Sequence, residues 1–249
     1  MQVKVVLVDV NPKMVQAWRS TFEENPEVEI VQGSMLEQQV SAWVSPTNSA
    51  GRMDGGLDLV IKNALGGPIE KKVQSEIGAL FHGAMPVGHA TCVPTGKPVP
   101  GYLISTPTMI ASSEDISDTL NVALACAAAF QAVHMQNAKL PGSVRSIALP
   151  GLGANTGRVP VEICADLMWT GYSLFRRREF DDFKAMRVAL EEELGDLGPS
   201  STSGKKKVAA APPMSKANGN GHDASANADF DDSDDDDEVG SDEDFDDTE

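Results

Sequence analysis

Val44-Ser45-Pro46-Thr47-Asn48-Ser49-Ala50-Gly51-Arg52-Met53-Asp54-Gly55-Gly56-Leu57-Asp58 reads as the end of a buried strand, then a loop dense in small and polar residues, then a helix beginning near Leu57. Glycines in such a loop let the backbone turn tightly and approach a ligand closely, and the N–H groups at a helix start attract anions. Asn48 and Asp58 add two side chains able to orient sugar hydroxyls or a water. The stretch points to a ligand that carries both phosphate and sugar.

Outward from it, the chain alternates strand and helix. Val3 to Val10 is a near-continuous apolar run, the pattern of a strand buried on both faces. Asn11-Pro12 starts a helix, with Asn as cap and Pro in the first turn, and Met14, Val15, Trp18 and Phe22 give it an apolar stripe. Val28 to Val31 and Ala42 to Val44 are further strands. The helix after the glycines carries Leu57, Val60, Ile61 and Leu65 and stops at Gly66-Gly67, and Pro68 opens another through Ile77. Ala90 to Val93 and Tyr102 to Ser105 are short strands, and the longest helix spans Ile116 to Met135, with an alanine-rich middle that permits close packing. Val144 to Leu149 is a strand and Pro150 to Pro160 a second glycine-rich loop. Helices follow over Val161 to Phe175 and Asp181 to Leu194. The alternation predicts an α/β fold of three layers (α/β/α), with helices on both faces of a mixed, mostly parallel central sheet.

The 249 residues leave room for one good-sized domain and something more. The net charge of −17 is uneven: residues 201–249 hold four lysines and fifteen acidic residues, a net −11, leaving −6 for residues 1–200. After Gly198, Ser, Gly, Pro, Ala and Asn give way to an acidic run over Asp229 to Glu249. Such a segment cannot bury enough apolar surface to offset its ordering entropy. The prediction is a folded domain over 1–198, then a disordered linker and acidic tail over 199–249. Cys92, Cys126 and Cys164 are widely spaced in apolar stretches and read as small buried residues rather than a disulfide or zinc set. No signal segment and no apolar run of roughly twenty residues is present, so a cytoplasmic or nuclear protein without a membrane partner is expected.

The second loop reads Pro150-Gly151-Leu152-Gly153-Ala154-Asn155-Thr156-Gly157-Arg158-Val159-Pro160. It too follows a strand and leads into a helix, so both loops belong at the carboxyl ends of strands, where open α/β sheets bind ligands. Its successive small residues could wrap a diphosphate in backbone N–H groups. Over roughly residues 28–178 the chain resembles the macro domain family, the ADP-ribose-binding α/β/α modules. Asn48-Ser49 and Gly55-Gly56-Leu57-Asp58 match that family's first loop, with Ser45 where an Asn is common. Gly153 and Gly157 match its second, with Asn155 in place of the middle Gly. The resemblance implies that Asn48 lies near the distal ribose. It implies that Ser34, Met35, Ser49, Gly55, Gly56 and the loop Gly151, Leu152, Gly153, Ala154, Asn155, Thr156 and Gly157 contact ADP-ribose or an ADP-ribosylated substrate. Asp58 stands where hydrolase branches place an acid that orients a water, so Asn48 and Asp58 are the candidate catalytic pair. No cofactor and no metal are implied.

Two departures from the family pattern carry expectations of their own. Ser34 replaces an Asp that accepts a hydrogen bond from the adenine amino group, and Arg52-Met53-Asp54 replaces a run of glycines and should narrow the distal-ribose site. Asp58 reads equally as a helix-start carboxylate facing the helix dipole. Asp9, at the end of the first strand, superficially resembles the ribose-binding acid of class I methyltransferases, but that fold needs a strand and a Gly-rich turn ahead of it; Asp9 reads as a strand-end residue that caps the next helix. His82, His89 and His134 show no metal-ligand spacing, Trp18, Trp43 and Trp169 read as core, and Arg176-Arg177-Arg178 reads as a solvated helix end, so nucleic-acid binding is not expected. Ser233 and Ser241 precede acidic runs that suit acidophilic kinases, and the tail could engage basic proteins. Three functions stay open: an ADP-ribose-binding module, a hydrolase of ADP-ribosyl or acyl groups on ADP-ribose derivatives or modified proteins, and an interaction protein driven by its tail.

Overall fold

The computed structural model describes residues 3–177 and 180–195. Six strands form one sheet in the order β2-β1-β6-β3-β5-β4: β1 (Lys4–Asp9), β2 (Val28–Gln32), β3 (Ala42–Ser45), β4 (Thr91–Pro94), β5 (Tyr102–Ser105) and β6 (Ser146–Leu149). Every pairing is parallel except that of β4 with β5. The two-residue period of a strand sorts the apolar run of β1 between two cores: Val5 and Leu7 join one, Val6 and Val8 the other. Helices α1 (Pro12–Thr21), α4 (Asn121–Lys139), α5 (Val161–Arg177) and α6 (Phe183–Gly195) cover the first face. Helices α2 (Gly56–Leu65) and α3 (Pro68–Phe81) cover the second. The three predicted layers are present.

Local chemistry explains most of the boundaries. Asn11 caps α1, its side chain accepting from the Lys13 N–H, with Pro12 in the first turn. The alanine run of α4 lets α5 come very close: a Cβ on Gly171 would stand 2.7 Å from the Ala123 carbonyl oxygen. Three expectations need correction. Helix α4 begins at Asn121, not Ile116, because Ile116 is fully buried and its N–H is taken by the Gly157 carbonyl of the second loop (3.0 Å). Helix α6 begins at Phe183 because Asp182 turns its carboxylate onto the Ala185 N–H and so caps the helix rather than entering it. Trp169 is exposed at the edge of α5, its indole N–H donating to Asn25 Oδ1, whereas Trp18 and Trp43 are core. Cys126 and Cys164 are buried and Cys92 half-buried.

The expected domain boundary at 197–200, the linker, the acidic tail and its serines lie outside the described residues, as does Arg178. Among the described residues no helix is long and apolar enough to cross a membrane.

Candidate functional site

The carboxyl ends of the parallel strands open onto a cavity of about 360 Å³, within the range of small-molecule sites. Asp9 and Val10 bring β1 to it, Gly33, Ser34 and Met35 follow β2, Pro46 follows β3, Thr108 and Met109 follow β5, and Pro150 and Gly151 follow β6. The structure brings Ser34, Met35, Gly55, Gly56, Asp58, Gly151, Gly153, Asn155, Thr156 and Gly157 together on its wall. Asn48, Ser49, Leu152 and Ala154 do not line it.

The first loop has two halves with different work. Asn48 is nearly fully buried and staples the first half: its Oδ1 accepts from the Ala50 and Arg52 N–H groups, and its Nδ2 donates to Ser112 Oγ (3.2 Å). Ser49 is buried too, its N–H given to the Met109 carbonyl. Met53 is fully buried in the core beneath α2 and α3, and its N–H is held by Glu70 Oε1 (2.7 Å). Lys62 bonds the other oxygen of Glu70 and holds that carboxyl below its ordinary range. Arg52 and Asp54 are exposed, and none of Arg52, Met53 and Asp54 lines the cavity. Met53 anchors the insert inward.

The second half runs onto α2. Gly55 is its N-cap and supplies no side chain to the first turn, so the helix N-terminus faces the cavity uncapped. A Cβ on Gly55 would meet nothing within 4 Å. Packing does not demand glycine there.

The second loop uses glycine for the opposite reason. A Cβ on Gly157 would stand 2.6 Å from Ile116 Cγ1 and 2.8 Å from the Gly153 carbonyl oxygen, so the loop can close on Ile116 only without one. Leu152 points into the core and is fully buried. Asp9 ties this loop to β1: Oδ2 accepts from the Gly151 N–H (3.2 Å) and Oδ1 from the Asn11 N–H (2.9 Å). Ser34 caps a single 3-10 turn over Met35–Glu37, its Oγ accepting from the Leu36 N–H (3.2 Å).

Asp58 is the chemically distinctive group. It sits in the first turn of α2, lines the cavity, and accepts at Oδ1 from the Ser45 hydroxyl. Burial pushes its carboxyl up to about 6; the Ser45 bond opposes that rise and the negative charge of Asp54 adds to it. Among the described residues, Asp9 and Asp58 are the charged ones on the wall, and neither Lys nor Arg lines it. An anion bound here would be held by backbone N–H groups and the helix start rather than by cations.

Val8, Val10, Pro46, Leu57, Val60, Thr108 and Met109 also line the cavity, and sequence reasoning did not place them there. Thr108 and Met109 follow β5 with no glycine or charge to mark them. The available signal was topological: a segment leaving the carboxyl end of a parallel strand opens onto the same edge as the glycine loops. Among the described residues, no three His, Cys, Asp or Glu side chains are placed to share a metal ion.

The macro domain family's sequence profile matches residues 44–168, the span from the end of β3 into α5. An uncharacterized protein of Aquifex aeolicus (strain VF5) is 30% identical over 168 residues, covering 68% of this chain and 93% of the relative. Among solved structures, the macrodomain of Mycobacterium tuberculosis DarG is 21% identical, with a TM-score of 0.48 over 58% of this chain and 87% of that one. The macrodomain of Thermus aquaticus DarG is 26% identical, with a TM-score of 0.44 over 57% of this chain and 87% of that one. The matched span holds both glycine loops, and over it the chain belongs to the macro domain family.

Proposed function

We propose that the protein binds ADP-ribose or a related ADP-ribosyl derivative in this cavity. The observation that carries the reading is the uncapped start of α2 at Gly55, facing the 150–157 loop across a cavity at the carboxyl ends of parallel strands. The diphosphate lies between the two loops, held by backbone N–H groups, and the apolar wall of Val8, Val10 and Met35 takes the base. Membership of the macro domain family supports the same ligand. Calorimetry with ADP-ribose tests it: saturable binding is expected, and no heat with any ADP-ribose compound sinks the reading.

One observation favours a second reading, hydrolysis. A carboxyl near 6 on the cavity wall suits a general base. Ionised Asp58 would take a proton from a water as that water attacks the anomeric carbon of an ADP-ribosyl group; the bond from that carbon to the modified side chain breaks, and the side-chain atom leaves with its electron pair and takes up a proton. Asn48, stapled within the first loop, acts by shaping it. In a turnover assay with ADP-ribosylated protein, Asp58→Asn should lower kcat at least a hundredfold, the usual worth of a general base. Binding without turnover in the wild type leaves the first reading and removes the second.

A further inference from the structure

Ser45 lies at the end of β3, fully buried, where the residue type has no obvious reason to be polar. Its backbone is fixed: the carbonyl accepts from the Thr47 N–H (3.0 Å) and the Thr106 N–H (3.1 Å), and the residue is in register with Ser105 of β5. From that backbone position the hydroxyl donates to Asp58 Oδ1 across from β3 to α2. No other side chain among the described residues bonds the Asp58 carboxylate. Asp58 in turn lines the cavity. A hydroxyl that donates to a carboxylate fixes the carboxylate's plane and favours its charged form.

We propose that Ser45 is the positioning residue of this site: it clamps one oxygen of Asp58, leaves Oδ2 for a hydroxyl or water in the cavity, and keeps the carboxylate charged near neutral pH. The proposal rests on the functional reading only for what occupies the cavity; the clamp itself does not need it.

The charged groups around Asp58 leave Ser45 as the corrective element. Asp54, on the loop before α2, opposes ionisation. Asp9, at the end of β1, puts a second carboxylate on the same wall. Lys62, one turn along α2, is engaged by Glu70. No cation on the wall offsets these, so the neutral hydroxyl is what favours the charged form.

Two readouts on the full-length protein separate the clamp from the ligand. The first is the carbon-13 resonance of the Asp58 side-chain carboxyl, followed from pH 4 to 8. Its midpoint should lie near 6 in the wild type and move up by about one pH unit in Ser45→Ala, the scale expected on losing one hydrogen bond to a charged group. Ser45→Cys, which keeps the volume but donates weakly, should fall between them and guards against a folding defect. The second is ADP-ribose affinity across the same range. The wild type should lose affinity below pH 6, Ser45→Ala should lose it from a higher pH, and Asp58→Asn should bind with little pH dependence. A Ser45→Ala midpoint equal to the wild type's overturns the proposal whatever binds. A shifted midpoint with no ADP-ribose binding at any pH supports the clamp and removes ADP-ribose as its ligand.

Discussion

Asp58 and Thr108 stand on the same wall and are both maintained against stability. The folded protein holds the Asp58 proton more tightly than the unfolded chain, with a midpoint near 6 against 3.8. Stability therefore declines as pH rises from about 4 through about 6 and stays lower above. Asp58→Asn should raise the melting temperature at pH 8 and change it little at pH 4. Discounted for the site's partial access to solvent, the gain at pH 8 is about 1 kcal/mol, or roughly 2–4 °C for a domain of this size. Equal shifts at both pH values would refute this account. Thr108 is fully buried and its hydroxyl meets no partner among the described residues, although its N–H and C=O are taken by the Thr47 carbonyl and Asn121. An unmet buried hydroxyl costs about 1–3 kcal/mol, so Thr108→Val, nearly isosteric, should raise the urea midpoint of unfolding. A lowered midpoint would mean that the hydroxyl has a partner.

The two glycine loops, alike on paper, make opposite predictions. Gly157 faces Ile116 and the Gly153 carbonyl at distances no Cβ can occupy, so Gly157→Ala should cost about 1–3 kcal/mol of stability, as overpacking does. Gly55 faces open cavity at an N-cap with extended backbone. Gly55→Ser should give α2 the side-chain cap it lacks and stabilise the fold by a few tenths of a kcal/mol. The same hydroxyl would compete for the helix-start N–H groups, and ADP-ribose affinity should fall about tenfold, or 1.4 kcal/mol. Thermal unfolding and calorimetry on the pair decide it; a Gly55→Ser protein that binds unchanged would move the anion away from α2. This division of labour is not visible in the letters, since glycine reads the same whether it admits a neighbouring side chain or a ligand.

Among the described residues, both apolar cores and the cavity wall are assembled within residues 3–195. A chain ending at Gly198 should therefore keep the melting temperature and the ADP-ribose affinity of the full protein, and a weaker or less stable truncation would assign the remainder a part in the domain. The elements themselves were legible because their causes are local: the apolar run of β1, the Asn11-Pro12 start, the alanines of α4 and the glycines at Gly66-Gly67 act within a few residues. The loops' place at one edge was legible for the same reason, as strand, loop and helix succeed one another along the chain. What faces inward at that edge depends on pairings between distant segments. Gly151 meets Asp9, Ile116 meets Gly157, and Thr108 reaches the wall because β5 lies beside β3. The Asn48 side chain closes its own loop, because neighbouring N–H groups in a tight turn are the nearest donors available to it. Short-range chemistry in the chain sufficed to build the pocket's frame, while the choice of side chains on its wall required the sheet order, since contacts between strands over a hundred residues apart leave no local mark.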